Sequence, residues 1–207
     1  MSLPFTTEEF FAVFAAYNRT LWPFALALWV LAAAGAVALA RSRDASRFLG
    51  IVLTVQWAWA GLAYHAAFFS SINPAAWLFG GLFLIQSALF AWYGVGRRRV
   101  QVSPRGSPRH IAAWALIIYS LAYPGLVLAE GHRLPAAPTY GVPCPTTLMT
   151  IGVLFAADPP WPRSIAVIPV LWAFIAGSAA VTLGVHADLM LWAAAVGLIR
   201  HLLATRT

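Results

Sequence analysis

The chain has 207 residues, 61% of them hydrophobic and 9% charged, with a mean hydropathy of +0.78. Soluble domains carry about a quarter charged residues, so this composition excludes an ordinary soluble domain and belongs to a membrane protein. The net charge of +7 does not point to nucleic acid, because the arginines lie between apolar runs, where membrane topology accounts for them.

The N-terminal stretch "MSLPFTTEEFF" has acidic residues where a signal peptide needs basic ones, and no small-residue cleavage site follows, so the chain is expected to keep its N-terminus. Within it, Thr6 and Glu9 stand at capping-box spacing ahead of Phe10, Phe11, Val13, Phe14 and Tyr17. This predicts a short amphipathic interfacial helix in residues 1–20, followed by a single transmembrane domain over 21–207. Asn18-Arg19-Thr20 matches a glycosylation sequon but abuts the first span.

A hydrocarbon core of roughly 30 Å needs about 20 apolar helical residues. Segments 21–40, 48–70, 74–95, 110–129, 164–183 and 187–203 meet that length. A further segment, 144–157, is shorter, about 21 Å as a helix, and reads either as a span in a locally thinned bilayer or as a re-entrant element. Charge chooses between them. With seven crossings, Arg41, Arg43, Arg47, Arg97, Arg98, Arg99, Arg105, Arg109, Arg163, Arg200 and Arg206 share one side with Asp44 and Asp158. Only Arg19 and Arg133 fall on the other, with Glu8, Glu9, Glu130 and Asp188. The expected fold is therefore all-α, a polytopic membrane protein of seven transmembrane helices, N-terminus out and C-terminus in. Trp22 and Trp77 are expected at the outer interface and Trp92, Trp114 and Trp161 at the inner one. The basic loop 94–110 reads first as a topology determinant and second as a contact for anionic lipid headgroups. No internal repeat is visible.

Ionisable groups inside spans are costly and mark candidate sites. His65 falls about 7 Å below the outer end of the second span, beside Tyr64, with Gly61 one turn back to admit a neighbouring helix. The outer ends of other spans contribute Tyr119, Tyr123, Glu130, His132, His186 and Asp188. In "YGVPCPTT", Pro143 and Pro145 are expected to hold Cys144, the single cysteine, in extended backbone, with Thr146 or Thr147 capping the next helix. Cys144 in this setting fits a reactive or metal-binding thiol. The candidate metal ligands are His65, His132, His186 and Cys144, with Tyr64, Asn73, Tyr123, Glu130 and Asp188 around them. Each also has a structural reading. His65 can be an interhelical hydrogen-bond partner, Asp188 a helix cap, and Glu130 and His132 solvated loop residues. Asn73-Pro74 can be a turn with Pro at the first helical position, and Gln56 and Gln86 are expected to hydrogen-bond between helices. No metal-ligand spacing motif is present.

Retinal proteins share the expected topology, but their Schiff-base lysine has no counterpart, since all thirteen basic residues are arginine. Ceramidase and adiponectin-receptor hydrolases hold zinc with paired histidines from one late helix, where this chain has His186 alone. The blocks "LPFTTEEFFAVFAAYN", "YHAAFFSSINPA", "PCPTT" and "IPVLWAFIAGSAAVTLGVHADL" resemble those of an uncharacterised family of small bacterial multi-pass membrane proteins, over nearly the whole chain. The resemblance implies a protein of the bacterial inner membrane and no activity. Three functional readings follow from the residues. The first is an outward-facing polar site for a transition metal, haem or small solute. The second is a metal-dependent membrane hydrolase or oxidoreductase, and the third an accessory subunit whose polar groups pack helices. Membrane lipid is the expected surrounding partner.

Overall fold

The computed structural model describes residues 4–41, 45–103 and 108–205. Arg43, Asp44, Arg105 and Arg206, counted in the charge pattern above, lie outside the described residues. The described chain is mostly helical, with one two-residue β ladder, and seven helices make up the bundle. Five of them are long and apolar enough to cross a membrane.

α1 runs unbroken from Thr7 to Arg41, with Pro23 inside it. The expected capping box opens it, with the Thr6 N–H donating to Glu9 Oε2 at 2.8 Å and the Glu9 N–H to Thr6 Oγ1 at 3.2 Å. Residues 7–20 are the first turns of this one helix, and part of their apolar face packs on the bundle. Val13, Phe14, Tyr17 and Asn18 are buried, and the ring of Phe14 lies 5.4 Å from that of Tyr64. α2, Ser46–Trp59, widens without a break into a π-helix over Ala60–Ala66. α3, Ala76–Leu89, does the same over Phe90–Gly96. Gly61 serves as expected. A Cβ there would come 3.0 Å from the Gly80 carbonyl oxygen, so the two backbones touch where both residues lack a side chain. The α2–α3 turn is set by Asn73, whose Oδ1 accepts the Ala75 N–H at 3.0 Å; α3 begins two residues past Pro74 rather than on it.

α4 spans Arg109–Ala129, α5 Pro143–Ala156, α6 Ser164–Leu183 and α7 Met190–Ala204. α5 is short because it is enclosed. Every residue in it except Cys144 is buried, inside a wall of α2, α4, α6 and α7. It runs from one end of the bundle to the other. Its N-terminus lies beside the α6–α7 turn, where Cys144 meets Asp188. Past its C-terminus, strand β2, Ala157–Asp158, pairs antiparallel with β1, Gln101–Val102, in the α3–α4 connection. Its threonines spend their hydroxyls locally, each donating to the carbonyl four residues back, from Thr146 to Val142 (3.0 Å), Thr147 to Pro143 (2.9 Å) and Thr150 to Thr146 (2.8 Å). Neither Thr146 nor Thr147 caps the helix, which carries no side-chain cap. Pro143, Cys144 and Pro145 form its first helical turn and not an extended segment, since proline is tolerated where the N–H has no intrahelical partner.

The arginine-rich end is closed by the β1–β2 ladder and by Arg109, which pairs with Asp158 and donates to the Ala157 carbonyl. Trp22, Trp77 and Trp92 are exposed on the bundle surface as an interfacial belt requires, whereas Trp161, expected in that belt, is buried. Gln86 donates to the Ile165 carbonyl of α6 at 2.9 Å, as expected. Gln56, expected to do the same, is fully buried, and among the described residues neither of its amide atoms is in a hydrogen bond.

Candidate functional site

At the end opposite the β ladder, a cavity of about 460 Å³ opens between α1, the α2–α3 turn, α4, α5 and α6. Its polar floor joins three elements. Asp188 lies in a 3₁₀ turn, His186–Leu189, that leads into α7. The Tyr123 hydroxyl on α4 donates to its Oδ1 at 2.6 Å, and the Cys144 thiol on α5 donates to its Oδ2 at 3.2 Å. Asp188 caps no helix; the residue is 6% exposed and its carboxylate lines the cavity. Among the described residues the one salt bridge is Arg109–Asp158, so Asp188 is held by neutral donors alone.

The walls are aromatic. Phe5, Phe10, Phe14, Tyr64, Phe69, Phe79 and Trp172 all face the cavity. They contact one another in sequence. The rings of Phe10 and Phe14 are 4.9 Å apart, those of Tyr64 and Phe69 5.6 Å, and those of Phe79 and Trp172 5.3 Å. Asn73 and Ser178 add polar groups to the lining, and the small side chains of Ala176, Ala179 and Ala180 on α6 leave the volume open.

His65 stands behind this wall. It is fully buried, and five rings surround it, with Phe83 at 4.7 Å, Trp172 at 5.0 Å, Tyr64 at 5.3 Å, Phe79 at 5.8 Å and Phe69 at 6.0 Å. Among the described residues neither imidazole nitrogen has a hydrogen-bond partner, so His65 is not the interhelical hydrogen bond that one reading anticipated. It belongs to a π-helix, a geometry that inserts an extra residue into a turn and is frequent at functional sites.

The expected site residues therefore divide. Tyr64, Asn73, Tyr123, Cys144 and Asp188 share the cavity. His132, His186 and Glu130 do not. His132 Nε2 lies 3.2 Å from the Gly184 carbonyl and its ring rests on Phe11. The His186 backbone N–H donates to Glu130 Oε2 at 3.0 Å, so these residues tie the α4–α5 loop to the α6–α7 turn. Among the described residues no three of His, Cys, Asp and Glu gather where they could hold a metal ion, and the expected ligand set of His65, His132, His186 and Cys144 is not assembled.

The α4–α5 loop is fastened to α1. The Asn18 side-chain amide donates to the carbonyls of Pro135 (2.6 Å) and Ala137 (2.8 Å), and its Oδ1 accepts the Thr139 hydroxyl at 2.5 Å. The sequon asparagine is thus a buried clamp. Trp59 donates to the Tyr17 hydroxyl at 2.8 Å, which donates in turn to the Tyr140 carbonyl at 3.2 Å. Burial pushes the Tyr140 phenol up to about 12, against the opposing pull of its hydrogen bond with Ser120. Gly141 closes the loop at φ +79°, where a Cβ would lie 2.6 Å from the Tyr17 hydroxyl oxygen.

Of the aromatic wall, the sequence-derived site contained Tyr64 alone. The wall's signal, the density of Phe in "TTEEFFAVF" and "AAFFSS", pointed to a membrane interface, and only the tertiary packing turns those rings inward.

An all-helical bundle with five helices fit to cross a membrane and an aromatic, carboxylate-floored cavity at one end defines the class: a helical protein with a small-molecule-sized pocket. The chain belongs to the family of unknown function DUF6064, whose profile matches residues 7–207. Comparison with curated proteins and with solved structures gives no match.

Proposed function

We propose that this is a seven-span protein of the bacterial inner membrane, N-terminus outside, whose outward-facing pocket binds a small solute. The orientation is supported by arginine placement. Arg41, Arg47, Arg97, Arg98, Arg99, Arg109, Arg163 and Arg200 all belong to the helix ends and connections on the β-ladder side, while Arg19 and Arg133 stand toward the pocket side. Lysine-free composition with abundant Ala, Gly and Pro fits a GC-rich bacterial genome. Membrane lipid is then the surrounding partner.

One observation carries the binding reading: the cavity of about 460 Å³ holds convergent polar groups, Tyr123, Asp188 and Cys144, on an otherwise aromatic and aliphatic lining. That combination is characteristic of small-molecule sites, in which apolar walls supply affinity and a few polar groups fix orientation. It favours an organic solute over a metal ion, for which the described residues assemble no ligand set.

The test is to purify the chain in a neutral detergent and extract bound small molecules for mass spectrometry, with Ala176→Phe as a variant that fills the cavity. A near-stoichiometric compound present in the wild type and missing from a well-folded Ala176→Phe is the expected result. A Soret band or a stoichiometric metal would redirect the site to haem or metal. Identical extracts from both proteins, with no ligand-induced thermal shift in either, would reduce the polar floor to helix packing.

A further inference from the structure

We infer that the pocket is selective for an organic ammonium ion, an inference that rests on the small-solute reading above and names its ligand class. The charge pattern is the first reason. Asp188 is buried, faces the cavity, and receives hydrogen bonds from a phenol and a thiol, both neutral. These donors solvate a carboxylate without cancelling its charge, and no salt bridge to it exists among the described residues. Glu130, on the neighbouring loop, acts on Asp188 in the same negative sense. A buried carboxylate without a counter-ion is costly, and either a proton or a cation relieves the cost; a cation does so while keeping the carboxylate charged.

The wall chemistry decides which cation. An inorganic ion is held by several ligating side chains, and among the described residues no three of His, Cys, Asp and Glu gather here. Aromatic faces carry negative potential and attract cations that bring their own apolar surface, as in the aromatic cages that hold quaternary ammonium groups. Phe10, Phe14, Tyr64, Phe69, Phe79 and Trp172 provide such faces around the same cavity that Asp188 floors. Its volume of about 460 Å³ exceeds the need of a bare ammonium and leaves room for an attached apolar or hydroxylated arm. Cys144 and Asn73, which also border the space, give that arm a polar contact.

Isothermal titration of the detergent-purified chain separates the two levels of the proposal. The probes are choline, tetraethylammonium and benzyltrimethylammonium, each paired with the neutral compound in which carbon replaces the nitrogen. For choline that compound is 3,3-dimethylbutan-1-ol. At least one ammonium ion is expected to bind about tenfold or more tightly than its neutral partner. Asp188→Asn, which keeps the shape of the floor and removes its charge, is expected to abolish that preference and leave neutral binding in place. Equal affinity for charged and neutral partners in the wild type overturns the ammonium assignment and leaves the solute pocket standing. Binding of none of the probes also overturns it, and a wild-type extract indistinguishable from that of Ala176→Phe then removes the solute reading as well. The wild-type comparison decides the matter even where Asp188→Asn fails to fold.

Discussion

Two aspartates, one at each end of the bundle, sit at equivalent places in the chain, just before α6 and just before α7, and are treated in opposite ways. Asp158 has a half-exposed side chain, pairs with Arg109 and accepts the Ser103 hydroxyl at 3.0 Å. Asp188 is buried and has a phenol and a thiol in place of a cation. At the first end the acid is neutralised, and it fastens the β1–β2 connection to the start of α4. At the second the charge is solvated but left uncancelled on the floor of a cavity. A carboxylate whose task is to fasten loops is best served by a guanidinium. One held by neutral donors retains the field with which to attract something else.

The contrast predicts an order of damage. The largest effect is expected from the backbone at the pocket end. Gly141→Val places a β-branched side chain at φ +79°, with its Cβ 2.6 Å from the Tyr17 hydroxyl and 2.8 Å from Leu28 Cδ1. It should cost at least about 3 kcal/mol and lower the apparent melting temperature in detergent more than any side-chain truncation discussed here. A melting point within error of wild type would mean that the α4–α5 loop is not closed as described.

Next comes the floor itself. Asp188→Ala leaves a buried hydroxyl on Tyr123 and a thiol on Cys144 without their acceptor, a loss of about 2 kcal/mol. Asp158→Ala removes a pair whose carboxylate side chain is 46% exposed, and its cost should stay under about 1 kcal/mol. Melting curves of the two variants side by side test the comparison directly. If Asp158→Ala proves the more destabilising, the acid at the basic end is the structural keystone and the contrast drawn above is inverted.

What the sequence could reveal follows the range of the interaction. Helix existence was legible because apolar runs and arginine placement are local, and the Thr6–Glu9 box and the Gly61 approach were legible for the same reason. The continuity of α1 past residue 20 was not, because Asn18-Arg19-Thr20 looks like the end of a surface segment until Pro135, Ala137 and Thr139 arrive to satisfy Asn18. The enclosure of α5 was equally hidden, since an apolar 14-residue helix reads the same whether lipid or protein surrounds it. Of the site, Tyr123, Cys144 and Asp188 were named as individuals, but their meeting depends on contacts over 44 and 65 positions of chain that no local pattern encodes. The histidines misled because a shared end of the bundle does not by itself bring side chains together. His132 and His186 occupy the right end of the bundle and are engaged by loops there.

The smallest expected effect is also the sharpest test of how far the cavity's chemistry extends. His65 has two unpartnered nitrogens and five aromatic neighbours, an environment that solvates a benzene ring better than an imidazole. His65→Phe gives up no hydrogen bond between protein groups and removes two buried polar atoms, so it should leave stability within about 1 kcal/mol of wild type or raise it. It also keeps a ring between Phe83 and Trp172, whereas His65→Ala opens a void there and should cost about 2 kcal/mol or more. Melting temperatures of the two variants separate a packing role from a polar one. If Phe is as harmful as Ala, the imidazole nitrogens are needed, and the polar site reaches through the aromatic wall to include His65. If Phe is tolerated and ammonium binding persists, the chemistry of this end of the bundle stops at the carboxylate of Asp188.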